Sequence, residues 1–534
     1  MPGAVSPEAP VSATEPTPQE TAAPSKPQAD APPTGVGLWA RYAVATVSGA
    51  LVFLASPPNG VAWTQWFNFV PLLLALTGDR RTDARLGYVA GVALVFSNFA
   101  WLAKTITLFS NLGWTLAIAV VLLFASVFGL PYALLGAVAR PMRARFGQAW
   151  VPLFACLWTG VEWLTPAVFP YAIGAPQYRT PWVWQLVSVF GLPAMTFLML
   201  LTNGAIAELL LARRERRGAP WLVAGATLGV FLANLAFGAW RAAAVEAQLQ
   251  EGRVVRASIL QQGVTMVQRI TERGDTVLKS WLELTAKVKD QKADLVVWPE
   301  GSVYLNPNAP KASKLFGDLA RTGGHGFLLG GGTREKDPAD PEKAVSYNSA
   351  WYFNPDGSIG GRYDKMVPLP FGEYLPWPVS YLRGYIEGVG NFRAGTRATV
   401  FQGAGFTFTV PICYEAILEG QMRALADADL FVNITNDGWF GDTAAPHQHA
   451  MLAAVHATQL GRPMLRVAYT GVSMVVEPHG AILEETKPYT EAAKVVPIRL
   501  AALDTPYRTW GRAFPWLCAL VGGWVLWVLR ARRA

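Results

Sequence analysis

Cysteine is scarce, with three in 534 residues. Two of them, Cys156 and Cys518, fall inside apolar runs, so a disulfide framework is excluded and Cys413 has no thiol partner outside those runs. Charge is also sparse: 15% of residues are charged and 52% hydrophobic, a balance that excludes a purely soluble protein of this length. Residues 1–36 contain no apolar run and are rich in Pro, Ala, Ser and Thr, which excludes a cleavable signal peptide and reads as a disordered cytoplasmic tail. The net charge of +8 is not gathered into a basic patch interleaved with aromatics, so nucleic acid is not an expected partner. His447, His449 and His456 lack patterned carboxylates or cysteines and read as structural, with no metal expected. The glycines of "LLGGGTRE" lack the order of a nucleotide loop, and no cofactor is expected.

The apolar residues gather into about eight runs of membrane-crossing length: 38–56, 61–78, 87–106, 113–138, 149–169, 182–211, 219–240 and 514–530. The second is the most interrupted, by Gln65, Asn68 and Pro71, and suits a re-entrant or interfacial segment equally well. Arginines cluster after runs two, four, six and eight, whereas the intervening loops hold only Arg179. Because positive residues are retained on the cytoplasmic side, both termini are expected inside and the long segment after Arg241 outside. Glu162, a carboxylate inside run five, is a candidate for a lipid-path role or a residue that merely meets water near the interface.

The outer segment reads as an α/β domain. "ADLVVWPEG", "GFLLGGG", "FTFTVPICYE" and "ADLFVNITNDGWF" read as buried strands with polar ends. "SAWYFNPDGSIGGRYDK" and "SMVVEPHGAILEE" read as hairpins reversing at Pro-x-Gly. "DTVLKSWLELTAKVKD" and "APHQHAMLAAVHATQLG" read as helices. The expected organisation is a tail (1–36), a transmembrane helical bundle (37–240), an outer catalytic domain (241–512) and a last span with a basic cytoplasmic end (513–534).

Cys413 sits where a strand meets a helix start, and by itself it suits a packed thiol as well as a nucleophile. Glu300 in "VVWPEGS" and Lys365 in "GRYDKMVPLP" would complete a base, a cation and a nucleophile. Only a fold can bring such distant residues together. The ordered set "WPEG", "YDK…PFGEY", "CYE" and "NITNDGWFGD" resembles the nitrilase superfamily, whose Glu-Lys-Cys triad sits on an α-β-β-α sandwich. Such a domain between a multi-span bundle and one last span is similar to the apolipoprotein N-acyltransferase family.

That resemblance implies Glu300 as general base, Lys365 as electrostatic stabiliser and Cys413 as nucleophile, with Glu373, Tyr414 and Glu415 in support. It implies a thioester taken from a glycerophospholipid acyl donor and passed to the α-amine of a diacylglyceryl-apolipoprotein, at the outer face of a bacterial inner membrane and among membrane lipids. Phe371, Trp377, Tyr381, Trp439 and Phe440 are substrate-entrance candidates. The chain departs from the family pattern over 264–271 and at Tyr469. The competing readings are an amidohydrolase with the same triad, a divergent acyltransferase paralogue, and a transporter or receptor whose outer domain only binds.

Overall fold

In the computed structural model of the protein, the described residues are Gly3, 37–110, 112–265, 268, 271, 274–337, 340–378, 380–381, 390–501 and 503–531. The expected N-terminal tail and most of the departure over 264–271 lie outside them.

The membrane part is built from α1 (Leu38–Ala55), α2 (Val70–Ala75), α3 (Arg80–Phe99), α4 (Leu102–Phe109), α5 (Trp114–Phe128), α6 (Leu130–Phe146), α7 (Trp150–Leu164), α8 (Leu192–Arg214) and α9 (Trp221–Glu251). Among the described residues, five helical stretches are long and apolar enough to cross a membrane, or six if the bent pair α3–α4 is one span. One of the eight expected runs is corrected. Run two is a 3-10 turn, Ala62–Trp66, followed by the six-residue α2, far short of a crossing. Runs four and five merge into one stretch of 51 residues, Trp114–Leu164, broken at Gly129 and at Gly147, where φ is +55°. Small residues set a close crossing of α3 and α6: a Cβ on Gly87 would lie 2.2 Å from the Tyr132 carbonyl oxygen, and one on Gly136 would lie 2.2 Å from that of Asp83.

The remaining chain forms two six-stranded sheets. The first contains β1 (Val254–Gln261), β2 (Leu295–Val303), β3 (Gly326–Asp337), β4 (Asp340–Phe353), β5 (Ile359–Asp364) and β12 (Ala492–Arg499), in the order 12-1-2-3-4-5. The second contains β6 (Phe401–Gln402), β7 (Thr407–Thr409), β8 (Leu430–Thr435), β9 (Met464–Ala468), β10 (Met474–Val476) and β11 (Ile482–Glu485), in the order 11-10-9-8-7-6. Alternation along β2 explains the layering. Leu295 and Val297 join the core that also holds Val432 and Ile434 of β8, while Val296 and Trp298 face a second core with Trp281 and Phe316. Those two residues come from α10 (Gly274–Ala286) and α11 (Pro310–Gly323), which cover the first sheet. The result is the expected α-β-β-α sandwich beside an apolar helical bundle.

On the other side, α12 (Ala445–Leu460) is buried at every residue except His447. A helix buried all round needs cover on every face, and the membrane bundle supplies part of it: Trp101 Nε1 donates to Gln448 Oε1 at 3.0 Å, and Gln448 Nε2 donates to the Asn98 carbonyl at 3.1 Å. The chain closes with α13 (Ala513–Arg530), whose Ala519 backbone packs on Gly160 of α7.

Gly136→Val should force α3 and α6 apart at a cost of about 1–3 kcal/mol, read as a lower thermal midpoint by tryptophan fluorescence in detergent. An unchanged midpoint would mean that the two helices do not meet there.

Candidate active site

Three segment ends converge. The β2–β3 register slips after Trp298, and Gly301 there has φ +66°, a break that frees Glu300 from the ladder. Lys365 follows β5 directly and is tied by its N–H to the Asn348 carbonyl at 2.8 Å. Cys413 opens a 3-10 turn, Cys413–Ile417, beyond β7.

Lys365 is fully buried, and its ammonium lies 2.7 Å from Glu373 Oε2 and 3.5 Å from Glu300 Oε1. Asn348 Nδ2 bridges the two carboxylates, donating to Glu300 Oε1 at 2.7 Å and to Glu373 Oε1 at 2.6 Å. The Asn436 N–H holds Glu300 Oε2 at 2.8 Å, and the Leu369 N–H holds Glu373 Oε2 at 2.6 Å. Burial pulls the Lys365 pKa down, but Glu373, Glu300 and Cys413 more than offset it, leaving the ammonium above the ordinary lysine range. Burial likewise raises Glu373, and Lys365 reverses it, so that carboxyl is held below its usual range.

The Cys413 thiol is pushed up, first by burial and then by the Glu300 carboxylate, while Lys365 and a hydrogen bond with Thr435 oppose this. The resting sulfur is therefore a thiol beside a carboxylate that can take its proton and an ammonium that can steady negative charge.

Cys413 adopts φ +53°, a conformation that costs a non-glycine residue about 1–3 kcal/mol and persists only when its surroundings impose it. Here they do. Glu415 Oε2 accepts from the Ile412 N–H at 2.8 Å, and its Oε1 accepts from Tyr363 Oη and the Met366 and Val367 N–H groups at 2.8, 2.7 and 3.1 Å. Burial nonetheless pushes the Glu415 carboxyl up to about 7. Asn433 Nδ2 donates to the Pro411 carbonyl at 2.8 Å. His449 Nε2 lies 3.2 Å from the Cys413 carbonyl oxygen and its Nδ1 lies 2.7 Å from Asp437 Oδ1. Arg466 anchors this strut, donating to Asp437 Oδ2 at 2.8 Å and to Asn433 Oδ1 at 2.6 Å. Burial and Arg466 lower the His449 pKa; burial raises Asp437, but Arg466 and His449 bring it below its usual range.

Tyr414 turns toward the bundle, donating to the Val168 carbonyl at 2.7 Å and packing on Phe169 with ring centroids 6.1 Å apart. The five entrance candidates divide. Phe371, Trp377 and Tyr381 are exposed, with Trp377 and Tyr381 each at 80%. Trp439 is half-buried against Phe109 of α4, and Phe440 is buried between Trp101 and Phe169 rather than standing at an open mouth. Tyr469 packs edge-on against Trp281 in the outer core.

Asn348 and the His449–Asp437–Arg466 strut were not read from the sequence as parts of the site. An asparagine inside a strand is a weak signal, since strands disfavour it unless it has a task. The one cluster of metal-ligating types among the described residues is Glu246, Glu477 and His479. Arg499 already pairs with both of its carboxylates, at 2.6–2.9 Å, so a cation is in place.

A family model described as carbon-nitrogen hydrolase matches residues 256–507, and one described as apolipoprotein N-acyltransferase N-terminal domain matches residues 48–205. The apolipoprotein N-acyltransferase of Brucella melitensis is 31% identical over 508 residues, covering 90% of this chain and 93% of its own. The chain belongs to the apolipoprotein N-acyltransferase family. Relatives of the same name from Geobacter metallireducens and Rhizobium meliloti are 28% and 32% identical, over 92% and 83% of this chain and 95% and 87% of theirs. With this membership the chain is an acyltransferase, and its long apolar helices make it a membrane protein.

Two outcomes test the geometry. Glu300→Gln removes a charge that raises the thiol pKa and should move the pH profile of Cys413 alkylation by iodoacetamide downward, whereas Lys365→Met should move it upward; no shift in either direction would separate these groups from the sulfur. His449→Ala should slow the same alkylation by about tenfold to a hundredfold, and His449→Gln, which keeps a donor for the carbonyl, should recover part of the rate.

Proposed function

We propose that the protein moves an acyl chain from a glycerophospholipid to the free α-amine of the diacylglyceryl-modified N-terminal cysteine of an apolipoprotein, by way of a thioester on Cys413. The observation that carries this is a buried thiol flanked by Glu300 and Lys365 and placed where the sandwich meets the apolar bundle. The relatives named above carry the same substrate in their names.

In the first step Glu300 takes the thiol proton as the sulfur attacks the ester carbonyl. The oxyanion that forms is stabilised by Lys365. The ester C–O bond then breaks, and the proton passes to the departing lysophospholipid oxygen. In the second step the amine attacks the thioester carbonyl, the C–S bond breaks, and Glu300 returns the amine's proton to sulfur. Glu373 holds Lys365 in place. Glu415 fixes the strained turn, and Tyr414 docks that turn on the bundle. Phe371, Trp377 and Tyr381 line the substrate mouth, with Trp439 at its membrane side.

The arginine distribution supports an inner-membrane protein with both termini in the cytoplasm, a bundle over 37–240, an outer catalytic domain over 241–512 and a last span from 513. Both substrates carry acyl chains, which favours a site at the bilayer surface.

Incubating the purified protein with a phospholipid of defined chain should add the mass of one acyl group to Cys413, and none should be added to Cys413→Ala. Glu300→Gln and Lys365→Met should each lower the rate of that addition by about a hundredfold or more. A folded protein that never becomes acylated would overturn the proposal, and water resolving the thioester as fast as an acceptor peptide would make the protein a hydrolase.

A further inference from the structure

Glu162 has no part in the chemistry proposed so far, yet it lines a cavity of about 600 Å³ between the bundle and the sandwich. The cavity reaches from Leu94 of α3 and Leu135 of α6 up to Ile417, at the far end of the nucleophile's turn. Its wall is mostly apolar and aromatic, with Tyr132, Trp158, Trp163 and Tyr171 among its rings.

Within this wall the Glu162 carboxylate accepts one bond at each oxygen, from Thr196 Oγ1 at 2.8 Å and from the Ile173 N–H at 3.2 Å. Each oxygen keeps a further lone-pair site. Among the described residues, no Lys, Arg or His side chain pairs with it. Arg512, the one Lys or Arg that lines the cavity, is taken by Glu419 at 2.9 Å. A carboxylate facing an apolar, aromatic cavity without a cation is a costly arrangement. Such a site takes a ligand ammonium, which pairs with the carboxylate and is also attracted by ring faces.

We infer that Glu162 is the recognition site for a primary ammonium group of a substrate lodged in this cavity. The inference rests on the function proposed above, which supplies two ammonium sources: the headgroup of an amine-bearing phospholipid donor and the α-amine of the acceptor's N-terminal cysteine. Thr196 and the Ile173 N–H orient the carboxylate, and the aromatic wall excludes water from the pair. Glu162 is thus a specificity residue rather than a proton-transfer group.

The test measures binding, so it does not depend on turnover. Full-length Cys413→Ala protein in detergent is titrated with short-chain phosphatidylethanolamine against phosphatidylglycerol of the same chains, and with a diacylglyceryl-cysteinyl peptide against its N-acetylated form. Glu162→Gln, which still accepts the Thr196 hydrogen bond, should weaken one ammonium ligand by at least about tenfold while leaving its ammonium-free counterpart within about twofold. Selective loss of phosphatidylethanolamine assigns the site to the donor headgroup, and selective loss of the free-amine peptide assigns it to the acceptor. Equal weakening within each pair, or no weakening, overturns the inference and leaves Glu162 as a tie between α7 and its neighbours. Acylation of Cys413 in the unsubstituted protein reports on the proposed function separately, so either can fail alone.

Discussion

The Lys365 ammonium is buried, and the rest of the site is arranged around it. An ammonium taken out of water is tolerable only with opposite charge in contact, and Glu373 and Glu300 supply that charge from two other segments. Asn348, which donates to both carboxylates, locks them to each other as well as to the cation. The end of β2, the end of β5 and the loop carrying Glu373 are therefore held in one cluster. Burial first, and then the negative charge of Glu300 and Asp437, keep the sulfur protonated at rest against the opposing pull of Lys365. A thiol held protonated beside a carboxylate and an ammonium has a proton acceptor and a charge stabiliser in its own surroundings.

Position matters as much as charge. The turn at Cys413 is strained, and the strain is opposed from three sides: by Glu415 within the turn, by Asn433 of β8, and by His449 of α12 acting on the cysteine carbonyl. The helix that carries His449 is in turn clamped between the second sheet and the membrane bundle through Gln448. Tyr414 adds a direct tie from the turn to the segment after α7. The geometry of the Cys413 turn is thus coupled to the bundle by packed elements, and the bundle forms part of the scaffold of this site.

Much of this was legible in the chain. The strand at 295–303 and both Pro-x-Gly hairpins follow from short apolar runs and turn chemistry, and the helix read in "APHQHAMLAAVHATQLG" forms over 445–460. Glu300, Lys365 and Cys413 were found through motifs, and the structure brings all three together. The second apolar run misled because hydropathy records composition, whereas its interruptions break it into a turn and a helix of six residues. Asn348 and the His449–Asp437–Arg466 strut were missed for a different reason. Their partners lie between 12 and 48 residues away in sequence, and nothing local marks a side chain whose task is to hold another segment.

By itself the sequence determined which segments are apolar enough for a bilayer, where strands and turns fall, and which reactive side chains stand at their ends, because these properties depend on neighbours along the chain. Tertiary structure alone decided that Lys365 has two carboxylate partners, that Cys413 rests as a thiol on a strained backbone, that Phe440 is buried against the bundle, and that Glu162 faces a cavity with no cation paired to it among the described residues. Charge state, strain and access depend on distance and burial in three dimensions, and spacing along a chain encodes neither.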